Sequence, residues 1–241
     1  MGVAVIQRGP STAVARPRRR RSADEARRAI LEAAEKRLVE QGPGAIKVQA
    51  IARDLGLTDP AIHYHFGSQD GLVDALIRFG GRRLKDGVHE AVRSWSGDCV
   101  DVRQLVALIR ETYGDRGYAR LAAWMALAGW TSRSGGMYDE LVDRVHAARV
   151  RRARENRVAE PDREDTQHLV VLLNLVLFAD AISGGAFRRS VGLPAERAAG
   201  ERFREWLARL LEEYLQPGVD RGSASRAVFD RGRAKPSAKR R

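Results

Sequence analysis

The twenty residues from Val48 to Gly67 have room for two short helices joined by a tight turn and for little else. Val48, Ile51, Ala52 and Leu55 recur at the spacing of one helical face. Gly56 then ends that helix, because glycine takes the left-handed backbone of a helix C-terminus at no steric cost. Thr58 stands where the next helix needs its N-cap, and Pro60 is tolerated in a first turn. In the segment from Asp59 to Phe66 only Ile62 and Phe66 lie four apart to pack inward, so the remaining side chains must face solvent or a partner. Gly67 breaks the segment. Ser68 caps a further helix whose buried stripe is Leu72, Ala75, Leu76 and Phe79. Two short helices with a glycine turn and an outward polar face form a helix-turn-helix, spanning roughly residues 47 to 66.

The flanking chain is helical as well. Ser22 is a plausible N-cap followed by Asp24 and Glu25, whose charges suit a helix N-terminus, and Ile30, Ala34 and Leu38 make one apolar stripe that stops at Gln41-Gly42-Pro43-Gly44. Beyond Trp95 helical segments are expected near 101–115, 118–131, 138–157, 163–188 and 195–215. Turn residues separate them at Ser132 to Gly136, at Glu160-Pro161 and at Gly192-Leu193-Pro194. Nothing alternates as a strand would, so the expected fold class is all-α. The run from Leu169 to Ile182 is apolar all round apart from Asn174 and Asp180; at 14 residues it is shorter than the ~20 of a membrane span, so it is expected to be a buried core or interface helix. The expected organisation is a basic arm (1–21), a helix-turn-helix domain (22–67), a helical body (68–216) and a basic tail (217–241).

Charge is unevenly placed along the chain. The net formal charge is +12, of which residues 1–21 supply +6 and residues 217–241 another +6, while residues 22–216 hold 29 basic and 29 acidic side chains. A neutral body between polycationic ends suits a polyanionic partner through counterion release; the plainer reading is that the ends are solubilising extensions. The single cysteine, Cys99, cannot form an intramolecular disulfide, and the only early apolar stretch, Val3 to Ile6, is too short for a signal peptide. A reducing, cytoplasmic setting is expected.

The residues Ile51-Ala52-Arg53-Asp54-Leu55-Gly56-Leu57-Thr58 and Ile62-His63-Tyr64-His65-Phe66-Gly67-Ser68 resemble the N-terminal signature of the TetR family of transcriptional regulators, with the likeness covering Ser22 to Phe79. Asp180-Ala181-Ile182 to Arg188, with Gly192-Leu193, resembles a segment of that family's dimerisation helix. The resemblance implies a regulator, expected to be a repressor, that reads palindromic double-stranded operator DNA as a homodimer and is released by a small-molecule effector. It implies base-edge contacts from Asp59, Ala61 and Tyr64, and phosphate or groove-wall contacts from Lys47, Gln49, Thr58, His63, His65 and Gln69. Either histidine has an alternative as a helix cap or interhelical packing residue. Three positions depart from the family, one of them His63, where a tyrosine is common. Lys47 stands where a threonine is common, and Gln69 where a lysine is usual, so one charged phosphate anchor is missing at 69 and Lys47 is placed to restore it. Arg18, Arg19, Arg20 and Arg21 abut the first helix and are expected to reach an adjacent minor groove or phosphates.

In the body, the candidate effector residues are Tyr113, Trp124, Met125, Trp130, Met137, Asn174 and Phe178, with core packing as the alternative for each aromatic and methionine. Asn174 stands out because a buried amide needs a partner. Asp180, about 240° round the same helix, must face elsewhere. Phe203, Trp206, Leu210 and Tyr214 form a stripe on the last helix that suits a homodimer interface. His63 and His65 point roughly 200° apart on a helix and make a poor metal pair; no metal or cofactor is expected. The chain lacks phosphate-loop, serine-elbow, HExxH and Cys/His signatures, so no catalytic residue and no enzyme activity are expected.

Overall fold

The computed structural model describes residues 23–96, 99–130 and 135–215. The expected Ser22 cap, the arm arginines 18–21 and the basic tail lie outside these residues. Among the described residues every regular element is helical: α1 (Ala23–Gln41), a short 3-10 turn (Pro43–Ala45), α2 (Val48–Leu55), α3 (Asp59–Phe66), α4 (Gln69–Ser94), α5 (Val102–Arg110), a π turn (Glu111–Asp115), α6 (Tyr118–Leu127), α7 (Asp139–Glu155), α8 (Arg163–Ser190) and α9 (Arg197–Leu215).

Local chemistry sets the short elements. Gly56 takes φ 63°, and the Leu57 N–H turns back to the Ala52 carbonyl at 2.8 Å, closing α2 after eight residues. Thr58 has the extended backbone of an N-cap, but its hydroxyl makes no capping bond; α3 starts on Asp59 and Pro60 instead. Ser68 does cap α4, its Oγ accepting the Gly71 N–H at 3.0 Å.

Two buried clusters form the interior. One joins Ile30, Leu31, Ala34 and Leu38 of α1, Val48, Ile51 and Ala52 of α2, and Ile62 and Phe66 of α3 with Leu72, Val73 and Leu76 of α4 and Tyr118, Leu121 and Met125 of α6. The other joins Leu84, Val88 and Val92 of α4 to Leu105 and Ile109 of α5, Leu141 and Val145 of α7, Leu173 and Leu177 of α8, and Leu207 and Leu211 of α9. α4 is therefore common to both, and the first cluster continues past residue 67 into α4 and α6.

Where α4 crosses α6 the Tyr118 ring lies directly against the backbone at Gly80. A Cβ added at Gly80 would overlap the Tyr118 ring, which is itself buried and held by Glu35. Alanine gains ~1 kcal/mol of helix propensity over glycine, but the overlap costs ~1–3 kcal/mol or more. Gly80→Ala is expected to be destabilising by about 1–2 kcal/mol in urea unfolding; a stability equal to or above the parent's would show that α4 and α6 have slack here.

α8 runs for 28 residues, close to the segment expected near 163–188, and an 18-residue stretch of it is apolar enough to cross a bilayer by length and composition alone. Only 22% of that stretch is buried. Val170, Leu173, Leu177 and Gly184 face inward, whereas Val171, Leu175 and Ile182 face out. Of the two expected roles, core or interface, the exposure of this second face favours the interface.

Candidate nucleic-acid interface

Two arginines tie the helix-turn-helix to α1. Arg37 of α1 grips Asp54 of α2 through Nε at 2.6 Å and Nη2 at 2.8 Å, and the same Nη2 donates to the Ala50 carbonyl at 3.3 Å. The hydrogen bond from Arg37 holds the Asp54 carboxyl below its ordinary value. Arg27 lies over the Phe66 ring, 4.4 Å from its centroid, and donates to the His65 carbonyl. α2 and α3 are thus oriented by bonds whose arginines both sit on α1.

On α3 the periodicity leaves one outward pole. Ile62 and Phe66 are buried, and Tyr64, on the opposite side, is 85% exposed. Ala61 and Asp59 are half-buried at its edge, as is His65, whose ring meets Tyr64 edge-on at 5.3 Å. His63 is exposed, but its Nδ1–H donates to the Gly67 carbonyl at 3.0 Å, the capping alternative. Lys47, Gln49 and Thr58 are exposed on the approaches to both helices.

Gln69 is exposed too, yet it has an internal job. Its Oε1 accepts the Val48 N–H at 3.4 Å, across 21 residues. Lys47, the N-cap residue of α2, has no acceptor in its side chain and makes no capping bond. The glutamine at the start of α4 supplies the acceptor that lysine lacks. Sequence reasoning placed Gln69 on a phosphate and missed this bond; the signal was available in the paired departure of positions 47 and 69.

The proposed effector residues do not all converge. Tyr113 and Tyr138 both donate to Asn174 Oδ1, at 3.2 and 2.6 Å, and Asn174 Nδ2 donates to the Val170 carbonyl at 2.9 Å. Phe178 packs edge-on to Tyr113 at 5.6 Å, and Met137 lies against the same cluster. Burial pushes both tyrosine hydroxyls above their ordinary titration range. Met125 and Trp130 instead join the cluster under the helix-turn-helix, and Trp124 is largely exposed, because successive residues of α6 cannot share a face. Tyr138 was not foreseen. On α9, Phe203 and Trp206 stack at 6.0 Å, with Trp206 and Leu210 exposed, while the Tyr214 hydroxyl turns inward to Asp165 at 3.2 Å.

Comparison with known proteins bears on this geometry. Residues 30–76 match the family model "Bacterial regulatory proteins, tetR family". The chain is 31% identical over 132 residues to the HTH-type transcriptional regulator BetI of Rhizobium meliloti, a match covering 54% of this chain and 61% of that protein. It is 28% identical over 110 residues to the nucleoid occlusion factor SlmA of a Marinomonas species, covering 45% and 56%. Each match spans less than two thirds of the relative's length. A TetR-family transcriptional regulator from Pectobacterium atrosepticum shares the fold, with a TM-score of 0.51 at 20% identity over 83% of this chain and 99% of that one. The matched segment holds α2, α3 and most of α1, so this part of the chain is similar to the tetR family of bacterial regulatory proteins, in an all-helical chain that shares its fold with a regulator of that family.

Proposed function

We propose that the chain is a cytoplasmic, homodimeric, sequence-specific repressor that leaves a palindromic operator when a small molecule binds its body, and that it has no catalytic role. The carrying observation is the outward pole of α3, where Tyr64 is 85% exposed on a helix otherwise fixed by α1. In this reading Tyr64, Ala61 and Asp59 meet base edges, and Lys47, Gln49, Thr58 and His65 meet the groove wall. His63 and Gln69 act at the same surface while holding α3 and α2 in place. Arg18 to Arg21 extend the contact along the adjacent groove. The basic arm, the helix-turn-helix domain, the helical body and the basic tail divide the work as the sequence suggests, with α4 carrying motion between the middle two.

The apolar outer faces of α8 and α9, with Leu175, Ile182, Trp206 and Leu210 exposed, suit a second copy of the chain. Dimerisation places two reading helices about 34–36 Å apart for successive major grooves. The effector enters where Tyr113, Tyr138 and Asn174 already form a polar centre in an apolar body, and a ligand polar group replaces one of the tyrosine hydroxyls on Asn174.

The test is a footprint on DNA flanking the chain's own gene, repeated with substituted proteins. Tyr64→Ala is expected to weaken specific binding about 5- to 150-fold while leaving binding to random duplex nearly unchanged, the measure of ~1–3 kcal/mol of base discrimination. Lys47→Ala is expected to weaken all sequences alike and to lower the salt slope by about 1. Equal losses on operator and random DNA for Tyr64→Ala count against base readout. The charged tails favour one other reading, an architectural protein that coats DNA without an effector. Displacement from every site equally by excess random duplex at ~150 mM salt selects that reading.

A further inference from the structure

About two turns along α8 from Asn174 lies a cavity of about 210 Å³ between the π turn, α8 and α9. Its walls carry four arginines, Arg110, Arg188, Arg197 and Arg204, and two aspartates, Asp115 and Asp180. Arg110 is matched by Asp115 at 2.8 Å, and Arg197, on the rim, reaches Glu201 at 3.2 Å. The imbalance lies deeper. Asp180 receives Arg188 on Oδ1 and Arg204 on Oδ2, the latter at 2.8 Å, so two guanidiniums share one carboxylate. The side chains of Asp180, Arg188 and Arg204 are only 8%, 12% and 14% exposed.

A buried cluster that carries one uncompensated positive charge is expensive to keep dry, and it is relieved by an anion. The Arg188 guanidinium also has a donor with no partner. Its Nε is fully buried and makes no hydrogen bond, although Nη1 is bound to Asp180. Guanidinium nitrogens recognise carboxylate and phosphate oxygens in pairs, and the closed-off Nε–H of Arg188 gains a partner when its side chain turns toward an anion in the cavity. Two glycines keep the room open. A Cβ at Gly184 would overlap the Asp180 carboxylate, and one at Gly200 would lie 3.0 Å from Arg204 Nη1 and 3.3 Å from Arg188 Nη2.

We propose that this cavity is a binding site for a small anion bearing a carboxylate or a phosphate, held by Arg188 and Arg204 with Arg197 at the entrance. Its volume of about 210 Å³ admits inorganic phosphate or a short dicarboxylate. None of Tyr113, Tyr138 and Asn174 lines it, so the site is separate from that centre, which lies about two turns back along α8. Asp115 in its wall is followed directly by Arg116, which bonds Glu35 of α1 at 3.3 Å. An occupied cavity therefore reaches the DNA-binding unit through one turn of backbone, and in that sense the anion is a second effector; this last clause rests on the proposed regulatory function.

The test is calorimetry on the full-length protein, without DNA, titrated separately with inorganic phosphate and with succinate at constant ionic strength in chloride. Saturable 1:1 binding of at least one of them is expected, and which of the two binds identifies the oxygen donor. Arg188→Met removes the free Nε–H and leaves Asp180 and Arg204 as a balanced pair, so the variant is expected to fold and to bind at least tenfold more weakly. Arg197→Gln, at an exposed rim position, is expected to weaken binding several-fold and covers the case in which the first variant does not fold. The basic tails are unchanged in both variants, so binding that neither variant alters belongs to the tails and overturns the site, as does no saturable binding of either anion. A second arm measures DNA affinity with the bound anion. An unchanged affinity removes the effector clause and leaves the site standing.

Discussion

Glu35→Ala is expected to lower the free energy of unfolding by about 2–3 kcal/mol, a fall in Tm of roughly 4–12 °C for a chain of this size. Glu35 is a buried carboxylate on α1, and three partners from outside α1–α3 close on it. Arg83 of α4 is at 3.0 Å, Arg116 beyond the π turn at 3.3 Å, and the Tyr118 hydroxyl of α6 donates at 2.8 Å. Removing one member of a buried pair costs ~3–5 kcal/mol when the other charge is stranded, but Arg83 and Arg116 keep some access to water, so the lower figure applies. Glu35→Gln keeps an acceptor without the charge and is expected to fall between parent and alanine variant. Burial, followed by the Glu35 charge and its hydrogen bond, pushes the Tyr118 hydroxyl far above its ordinary value of 10.0. A raised folded value means that its contribution is whole below pH 10 and is lost above it, at up to ~1.4 kcal/mol per pH unit. Burial, the first of its causes, remains in Glu35→Ala, so the alkaline loss is expected to keep the same slope up to about pH 11 from a lower starting stability. Urea unfolding of both proteins from pH 7 to 11 reads the midpoints and the slope. Parallel pH profiles with equal midpoints would mean that the network contributes nothing to holding α1 on the body.

The helix-turn-helix was legible because everything that defines it is local. Gly56, Gly67 and Ser68 act on their own neighbours, and the buried pair Ile62 and Phe66 is a spacing of four. The helices of the body were legible to within a few residues for the same reason. α6 is the exception at its end: apolar residues continue to Trp130, but the chain leaves the helix at Ala128 and turns through Gly129 at φ 84°. Convergence was much less legible. Tyr113, Asn174 and Phe178 do meet, yet nothing in the spacing shows that Met125 turns toward the helix-turn-helix core, or that Tyr138 reaches Asn174 across 36 residues. The Gln69 bond to Val48 and the Glu35 network are contacts of the same kind, between residues far apart in sequence. α8 was legible almost to its ends: the segment expected near 163–188 falls within two residues of the helix Arg163–Ser190.

In the proposed dimer, Leu175→Arg is expected to separate the two copies and, through that, to cost more operator affinity than any single substitution at the proposed reading helix. Leu175 is 62% exposed at the middle of the outer face of α8, between Val171 and Ile182, so the monomer's own packing does not depend on it. A guanidinium placed there must be desolvated when two such faces close. With no acid supplied opposite, the penalty is on the order of 3–5 kcal/mol at each of two symmetry-related positions. A monomer then meets each half-site as a separate event and forfeits the ~10²–10⁴-fold advantage of linked binding. Sedimentation without detergent is expected to give a dimer for the parent and a monomer for the variant, with the helical circular dichroism of the two unchanged. Tyr64→Ala provides the contrast, since it should lose base discrimination while remaining a dimer. A parent that sediments as a monomer, or that needs detergent to stay in solution, would assign the outer face of α8 to another occupant and remove the two-groove reading with it.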